Sequence, residues 1–260
     1  MIEDVLIPVD ETIIGISSIL PKQVLGNNIV INSKSNGFPD LDQISIAIIG
    51  VQELRNSHFN HSRYDMDKFR IEFYKLYTGN WKLNIADLGD LPNGNKVEDT
   101  YYILKEVCLH LRQMNIIPII IGGSQDLTLS MYRSFENNNQ WINITSIDNR
   151  FDFSQDEDLI SGRSYMSSII LKKPSYLHNY TNLGYQSYLI SQEELDLMDK
   201  LFFDSYRLGA VLDDFSLSEP IFRETDIASF DLKCLSENSS GESINSSPNG
   251  FDSRTICSLS

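Results

Sequence analysis

The stretch Ile116-Ile117-Pro118-Ile119-Ile120-Ile121-Gly122-Gly123-Ser124-Gln125-Asp126 decides the fold. The apolar run Ile116–Ile121 has the length and composition of a strand buried on both faces of a parallel sheet. Gly122-Gly123 breaks it, a polar cluster follows, and a helix bearing Leu127, Met131 and Phe135 comes next. Upstream, Ile44–Gly50 is another apolar run ending in Gly, followed by Met66, Phe69, Phe73, Leu76 and Tyr77 at helical spacing. Leu83–Leu88 reads as a second strand turning at Gly89-Asp90. Val97, Tyr101, Leu104, Val107, Cys108, Leu111 and Met114 then mark one face of a long helix.

Downstream, Trp141–Ile147 is a fourth strand ending at Asp148, a helix is expected near Ser164–Lys172, and a strand around Tyr176–Leu183. Ser191-Gln-Glu-Glu194 has the form of a capping box, with Leu195, Met198, Leu201 and Phe202 on one face of the helix it opens. Asp226–Asp231 is a further strand, and Ser236–Gly250, rich in Ser, Asn and Gly, reads as a long flexible loop. Strands alternating with helices imply an α/β fold, a three-layer α/β/α sandwich with a mainly parallel sheet. Residues 1–43 read as an N-terminal extension of short elements, and residues 44–260 as the α/β domain.

Composition narrows the function classes. The chain has 260 residues, 41% hydrophobic and 22% charged, with 21 basic against 36 acidic residues and a net charge of −15. That length can bury a sizeable core without a metal or disulfide. Strong acidity argues against nucleic acid and against an anionic membrane surface, both of which need clustered Lys and Arg. Cys108, Cys234 and Cys257 show no CxxC spacing, so neither a disulfide scaffold nor a zinc knuckle is expected. No basic segment precedes an apolar stretch at the N-terminus, and no apolar run approaches the ~20 residues of a membrane span. The chain reads as a reduced, cytoplasmic protein.

Ligands of open parallel sheets bind beyond the C-terminal ends of the strands. Three strand ends carry polar clusters: Gly122-Gly-Ser-Gln-Asp126, Asp148-Asn-Arg-Phe-Asp152 and Ser229-Phe-Asp-Leu-Lys233. Each alone is an ordinary turn or helix cap. Their order and spacing together resemble the ureohydrolase family of arginases, agmatinases and formimidoylglutamases, whose motifs read GGDHS, DAHxD and SxDxD. Ala86-Asp-Leu-Gly-Asp90 is similar to the family's second strand and turn, and Ser247-Pro-Asn-Gly250 to a turn that precedes a helix.

The resemblance implies an arginase-like fold and a site for two manganese ions. Their shared hydroxide would attack a guanidinium or formimino carbon. It places metal ligands at Asp148, Asp152 and Asp231, which are retained, and at Gln125, Arg150 and Lys233, which are substitutions, with Gly122 and Gly123 forming the pocket turn. Arg and Lys are donor-only cations and cannot ligate a metal. The expectation is therefore a catalytically impaired member in which Arg150 and Lys233 pair with the three aspartates. The alternative is an active formimidoylglutamase- or agmatinase-like hydrolase with an altered or single-metal site. Manganese is the cofactor of the second reading, and no cofactor belongs to the first. A small guanidino or formimino compound and a homo-oligomer are the implied partners. Asp126, Asp226, His110 and His178 fall outside the motif slots, and His58 and His61 read as surface residues. The family's last strands should follow Gly250, so the resemblance also implies a sheet with its last strands missing.

Overall fold

A computed structural model describes residues 2–57, 65–80, 82–136, 140–154, 160–240 and 247–259. His58 and His61 lie outside the described residues. The chain divides into two compact units, Met1–Ser130 and Met131–Ser260.

The first unit runs α1 (Glu11–Ser18), β1 (Val30–Ile31), β2 (Ile46–Val51), α2 (Met66–Tyr74), β3 (Ile85–Leu91), α3 (Val97–Gln113) and β4 (Ile117–Ile121), with α4 (Thr128–Arg133) crossing into the second. Its four strands lie in the order β1-β3-β2-β4, all parallel, with Ile48 opposite both Asp87 and Ile119. Segment 1–43 supplies β1 to this sheet, and Ile7 exchanges both backbone hydrogen bonds with Asp90 at 2.8 and 2.9 Å. The α3 stripe is buried as expected at Tyr101, Leu104, Val107, Cys108 and Leu111. Burial pushes the Cys108 thiol up to about 12, so it is inert packing.

Two expectations are corrected here. β4 is an edge strand of its sheet, with Ile117 63% and Ile119 39% exposed. An apolar run specifies a strand but not its place in the sheet. The buried row of α2 is Met66, Arg70 and Tyr74, while Leu76 and Tyr77 are exposed beyond the helix end. The helix is turned by about one position because Arg70 finds buried carboxylates. Its Nε donates to Asp87 Oδ2 (2.9 Å) and its Nη2 to Asp90 Oδ1 (2.8 Å), while Tyr74 donates to Asp87 Oδ2 (2.8 Å).

The second unit runs β5 (Ile142–Ile147), α5 (Tyr165–Leu171), β6 (Leu177–Tyr185), α6 (Gln192–Leu201), β7 (Asp204–Arg207), α7 (Leu208–Asp213), α8 (Ser218–Arg223), β8 (Ile227–Phe230), α9 (Glu237–Ser240) and α10 (Ser253–Leu259). Its sheet is again parallel, in the order β7-β6-β5-β8. The capping box is present: Ser191 Oγ accepts from the Glu194 amide (3.2 Å) and Glu194 Oε2 from the Ser191 amide (2.8 Å). Phe202 does not join the buried face of α6. It closes the helix in the left-handed region (φ 58°) and is 90% exposed. Part of the expected loop 236–250 is ordered as α9, because Glu237 N–H donates to Ser247 O (3.1 Å) and Ser236 N–H to Phe251 O (2.9 Å). Among the described residues no helix is long and apolar enough to cross a membrane.

Candidate functional site: strand-end carboxylates

In the second unit the turn after β5 and the turn after β8 are tied together. Asn149 Nδ2 donates to Lys233 O (2.8 Å), and Asp231 N–H donates to Ile147 O (3.0 Å). Each turn is closed by its own first aspartate: Asp148 Oδ1 accepts from Arg150 N–H (3.0 Å), and Asp231 Oδ1 from Lys233 N–H (2.9 Å). Asp152 sits at φ 57° between the buried side chains of Phe151 and Phe153. For a non-glycine residue this backbone costs about 1–3 kcal/mol and persists only where the surroundings enforce it. Here packing enforces it, since the Phe151 ring lies 5.0 Å from Tyr185 and 5.9 Å from Phe153.

The result is a buried carboxylate cluster. Burial, then the charges of Asp148 and Asp231, push the Asp152 carboxyl well above its ordinary value, and Lys233 pulls it back. Its Oδ2 is buried with no hydrogen-bond partner. Lys233 Nζ stands 3.5 Å from Asp231 Oδ2, the pair being partly exposed. Arg150 does not join the cluster: its guanidinium donates to Leu189 O, and its own carbonyl accepts from Asn182 Nδ2 (2.7 Å). The expected pairing therefore holds for Lys233 and Asp231, and not for Arg150. The backbone bond from Asn182 and the reach to Leu189 carry the Arg150 side chain elsewhere. Among the described residues no three His, Cys, Asp or Glu side chains are arranged to hold a metal ion.

Gln125, Gly122 and Gly123 belong to the first unit. Gly122 and Gly123 adopt φ 88° and 77°, and a Cβ on Gly123 would fall 2.3 Å from Leu127 Cδ1 and 3.1 Å from Val51 O. Only glycine fits this turn. Gln125 opens the following 3₁₀ turn, half-buried.

The same strand ends carry residues that sequence reasoning missed. Glu53, fully buried, accepts from Arg55 Nε (2.9 Å) and Thr100 Oγ1 (2.9 Å). Burial opposes its ionisation, but the Arg55 and Thr100 hydrogen bonds win and hold its carboxyl below the ordinary range. Tyr101 donates to Asp126 and accepts from Asn56 Nδ2 (2.9 Å). Burial raises the Asp126 carboxyl against the hydrogen bonds from Ser124 and Tyr101. The signal was available: Glu53 comes two residues after the end of an apolar strand, past Gln52, and Thr100 precedes Tyr101 on the buried stripe of α3.

Of the residues outside the motif slots, Asp226 lies before β8, at the opposite end of the strand from Asp231, and accepts from Asn143 N–H (2.8 Å). His110 is exposed on α3, and His178 is exposed on β6, beside the Trp141 ring at 6.5 Å.

Compared by sequence, the chain matches no family model and no curated protein. Compared by structure, it matches Trypanosoma cruzi formiminoglutamase with Mn²⁺, at TM-score 0.73 and 16% identity over 91% of this chain and 84% of that one. The chain has the arginase fold. Agmatine ureohydrolase of Thermoplasma volcanium aligns over 94% of this chain and 83% of its own, at TM-score 0.70 and 16% identity. Arginase from Medicago truncatula aligns over 84% and 74%, at TM-score 0.68 and 16% identity. In this arginase-like chain the three motif segments do follow parallel strands β4, β5 and β8, as the resemblance implied.

Proposed function

We propose that this chain is a divergent ureohydrolase that binds a small guanidino- or formimino-bearing compound without hydrolysing it. The observation that carries the reading is Lys233 Nζ, 3.5 Å from Asp231 Oδ2. The family pattern expects a second carboxylate ligand at position 233, and an ammonium has no lone pair to replace it. Position 150, where the pattern expects an imidazole, holds an arginine engaged with Leu189 O. Asp148, Asp152 and Asp231 with Lys233 do not fit a pair of divalent ions, because their charge is already partly offset and too few acceptors are left. Carboxylates that would have held metal are instead suited to a cationic amidine or guanidinium.

A second reading is supported by Asp152 Oδ2, a buried carboxylate oxygen with no hydrogen-bond partner. On it the chain is a hydrolase of linear amidines that uses one manganese ion. The two readings separate when the full chain is incubated with formimidoylglutamate, agmatine or arginine, with and without Mn²⁺. The first expects no formamide or urea release but saturable binding of one of these compounds. Manganese-dependent release that disappears in Asp148→Ala would establish the second and overturn the first.

A further inference from the structure

Asn-Gly occurs at Asn36-Gly37, Asn93-Gly94 and Asn249-Gly250, and the fold treats the three pairs differently. The pair is chemically special because glycine has no side chain to shield its amide nitrogen, which can attack the preceding asparagine's side-chain carbonyl. Two of the pairs are held. Gly37 N–H donates to Ser33 O (2.8 Å). Gly94 N–H donates to Thr100 Oγ1 (2.9 Å), and Asn93 Nδ2 reaches Gln52 O (3.4 Å). An amide nitrogen that must first give up such a bond is the poorer nucleophile.

The third pair is open on its reacting side and assisted from behind. Among the described residues, neither the Gly250 N–H nor the Asn249 carboxamide makes a hydrogen bond, and Asn249 is exposed. The oxygen of the peptide group joining them, Asn249 O, accepts from Gln186 Nε2 at 2.6 Å. A donor there stabilises the negative charge that spreads onto this oxygen as the Gly250 nitrogen loses its proton. Gln186 is itself positioned: Tyr188 Oη donates to its Oε1 and stands 3.0 Å from Ser247 Oγ. Glycine at 250 is imposed by the fold, since a Cβ would fall 2.5 Å from Ser236 N and 2.6 Å from Cys234 O. The packing that excludes a side chain at 250 thus also leaves its nitrogen unshielded.

We propose that Asn249 is a site of spontaneous deamidation in the folded protein, promoted by Gln186. Gly250 N gives its proton to solvent and bonds to Asn249 Cγ. The Cγ–Nδ2 bond breaks, and ammonia leaves with a proton taken from solvent. Water then opens the cyclic imide at either carbonyl, giving aspartate or isoaspartate, and nothing is oxidised or reduced. Both products add a carboxylate to a loop joined to the strand-end turns, because Gln186 N–H donates to Asn149 O (3.1 Å) and Asn149 Nδ2 to Lys233 O (2.8 Å). The isoaspartyl product also lengthens the backbone by one carbon and moves Gly250 from its close seat against Cys234 and Ser236. The step is independent of whether the protein hydrolyses anything.

The test is ageing of the full native chain at mildly alkaline pH, followed by peptide mapping with mass spectrometry and an isoaspartyl assay. Asn36 and Asn93 serve as references within the same sample. Asn249 is expected to deamidate about tenfold faster than either, the rate equivalent of one hydrogen bond to a developing charge. In urea the three rates should converge, since the Asn-Gly sequence is shared and the fold is gone. Tyr188→Phe removes only a hydroxyl from an exposed ring and should slow Asn249 without moving the references. Gln186→Met should slow it further, with the thermal midpoint reporting that the variant is folded. A native Asn249 no faster than the references would overturn the proposal. So would a native rate that neither variant lowers, or a difference between the three sites that persists in urea.

Discussion

Each unit buries acidic side chains at its sheet, and the two clusters are treated in opposite ways. In the first, Asp87 is fully buried but receives Arg70 Nε and Nη2, Tyr74 Oη and the Gly89 amide, so every acceptor is used. In the second, Asp148 and Asp152 are nearly as buried, yet the nearby ammonium pairs with Asp231, and Asp152 keeps an oxygen without a partner. A satisfied charge cluster holds a fold together. An unsatisfied one raises carboxyl pKa values and costs stability, which is a feature of sites kept for binding. The difference sets the strand-end carboxylates of the second unit apart from the fully paired Asp87 of the first unit's β2–β3 pair.

The contrast can be broken most forcefully at Arg70. Arg70→Met leaves Asp87 buried without its cation, and the expected loss is about 3–5 kcal/mol of unfolding free energy in a urea titration. Arg55→Ala should cost less, about 1–3 kcal/mol in the same titration, because Glu53 keeps its bond from Thr100.

The second unit should respond with the opposite sign. Asp152 binds its proton more tightly in the folded state than in the unfolded one, so its contribution is harmless below the ordinary carboxyl range. Stability is then lost as pH rises from that range through the raised folded value. Asp152→Asn should therefore stabilise the protein by about 1 kcal/mol at neutral pH and flatten that fall with pH. Asparagine also tolerates the left-handed backbone there. Smallest of all, Lys233→Ala should change stability by less than about 1 kcal/mol, since its ion pair is long and partly exposed. A loss at Lys233 as large as that at Arg70 would erase the contrast.

Much of this was legible in the sequence, and the misses have physical causes. The glycine pair at 122–123, the capping box at 191–194 and the strand before Asp148 were readable because each is a local signal. The buried Arg70 was hidden because an arginine on the i, i+4, i+8 row of Met66 and Tyr74 looks like a break in the apolar stripe. Only the partners Asp87 and Asp90 make its burial tolerable. β7, Asp204-Ser-Tyr-Arg207, was missed because an edge strand with charged ends has little apolar pattern to show. Of the candidate site, the three aspartates and Lys233 were named and are brought together in space. Arg150 was named and turns away, because no spacing rule reports which carbonyl a guanidinium will find.

The central claim is that the strand-end carboxylates, with Lys233 among them, do not form a two-manganese centre. Isothermal titration of the full chain with Mn²⁺, followed by metal analysis of the dialysed protein, tests it directly. The account predicts no stoichiometric manganese retained and no high-affinity binding isotherm. Two equivalents of tightly held Mn²⁺ per chain would contradict it.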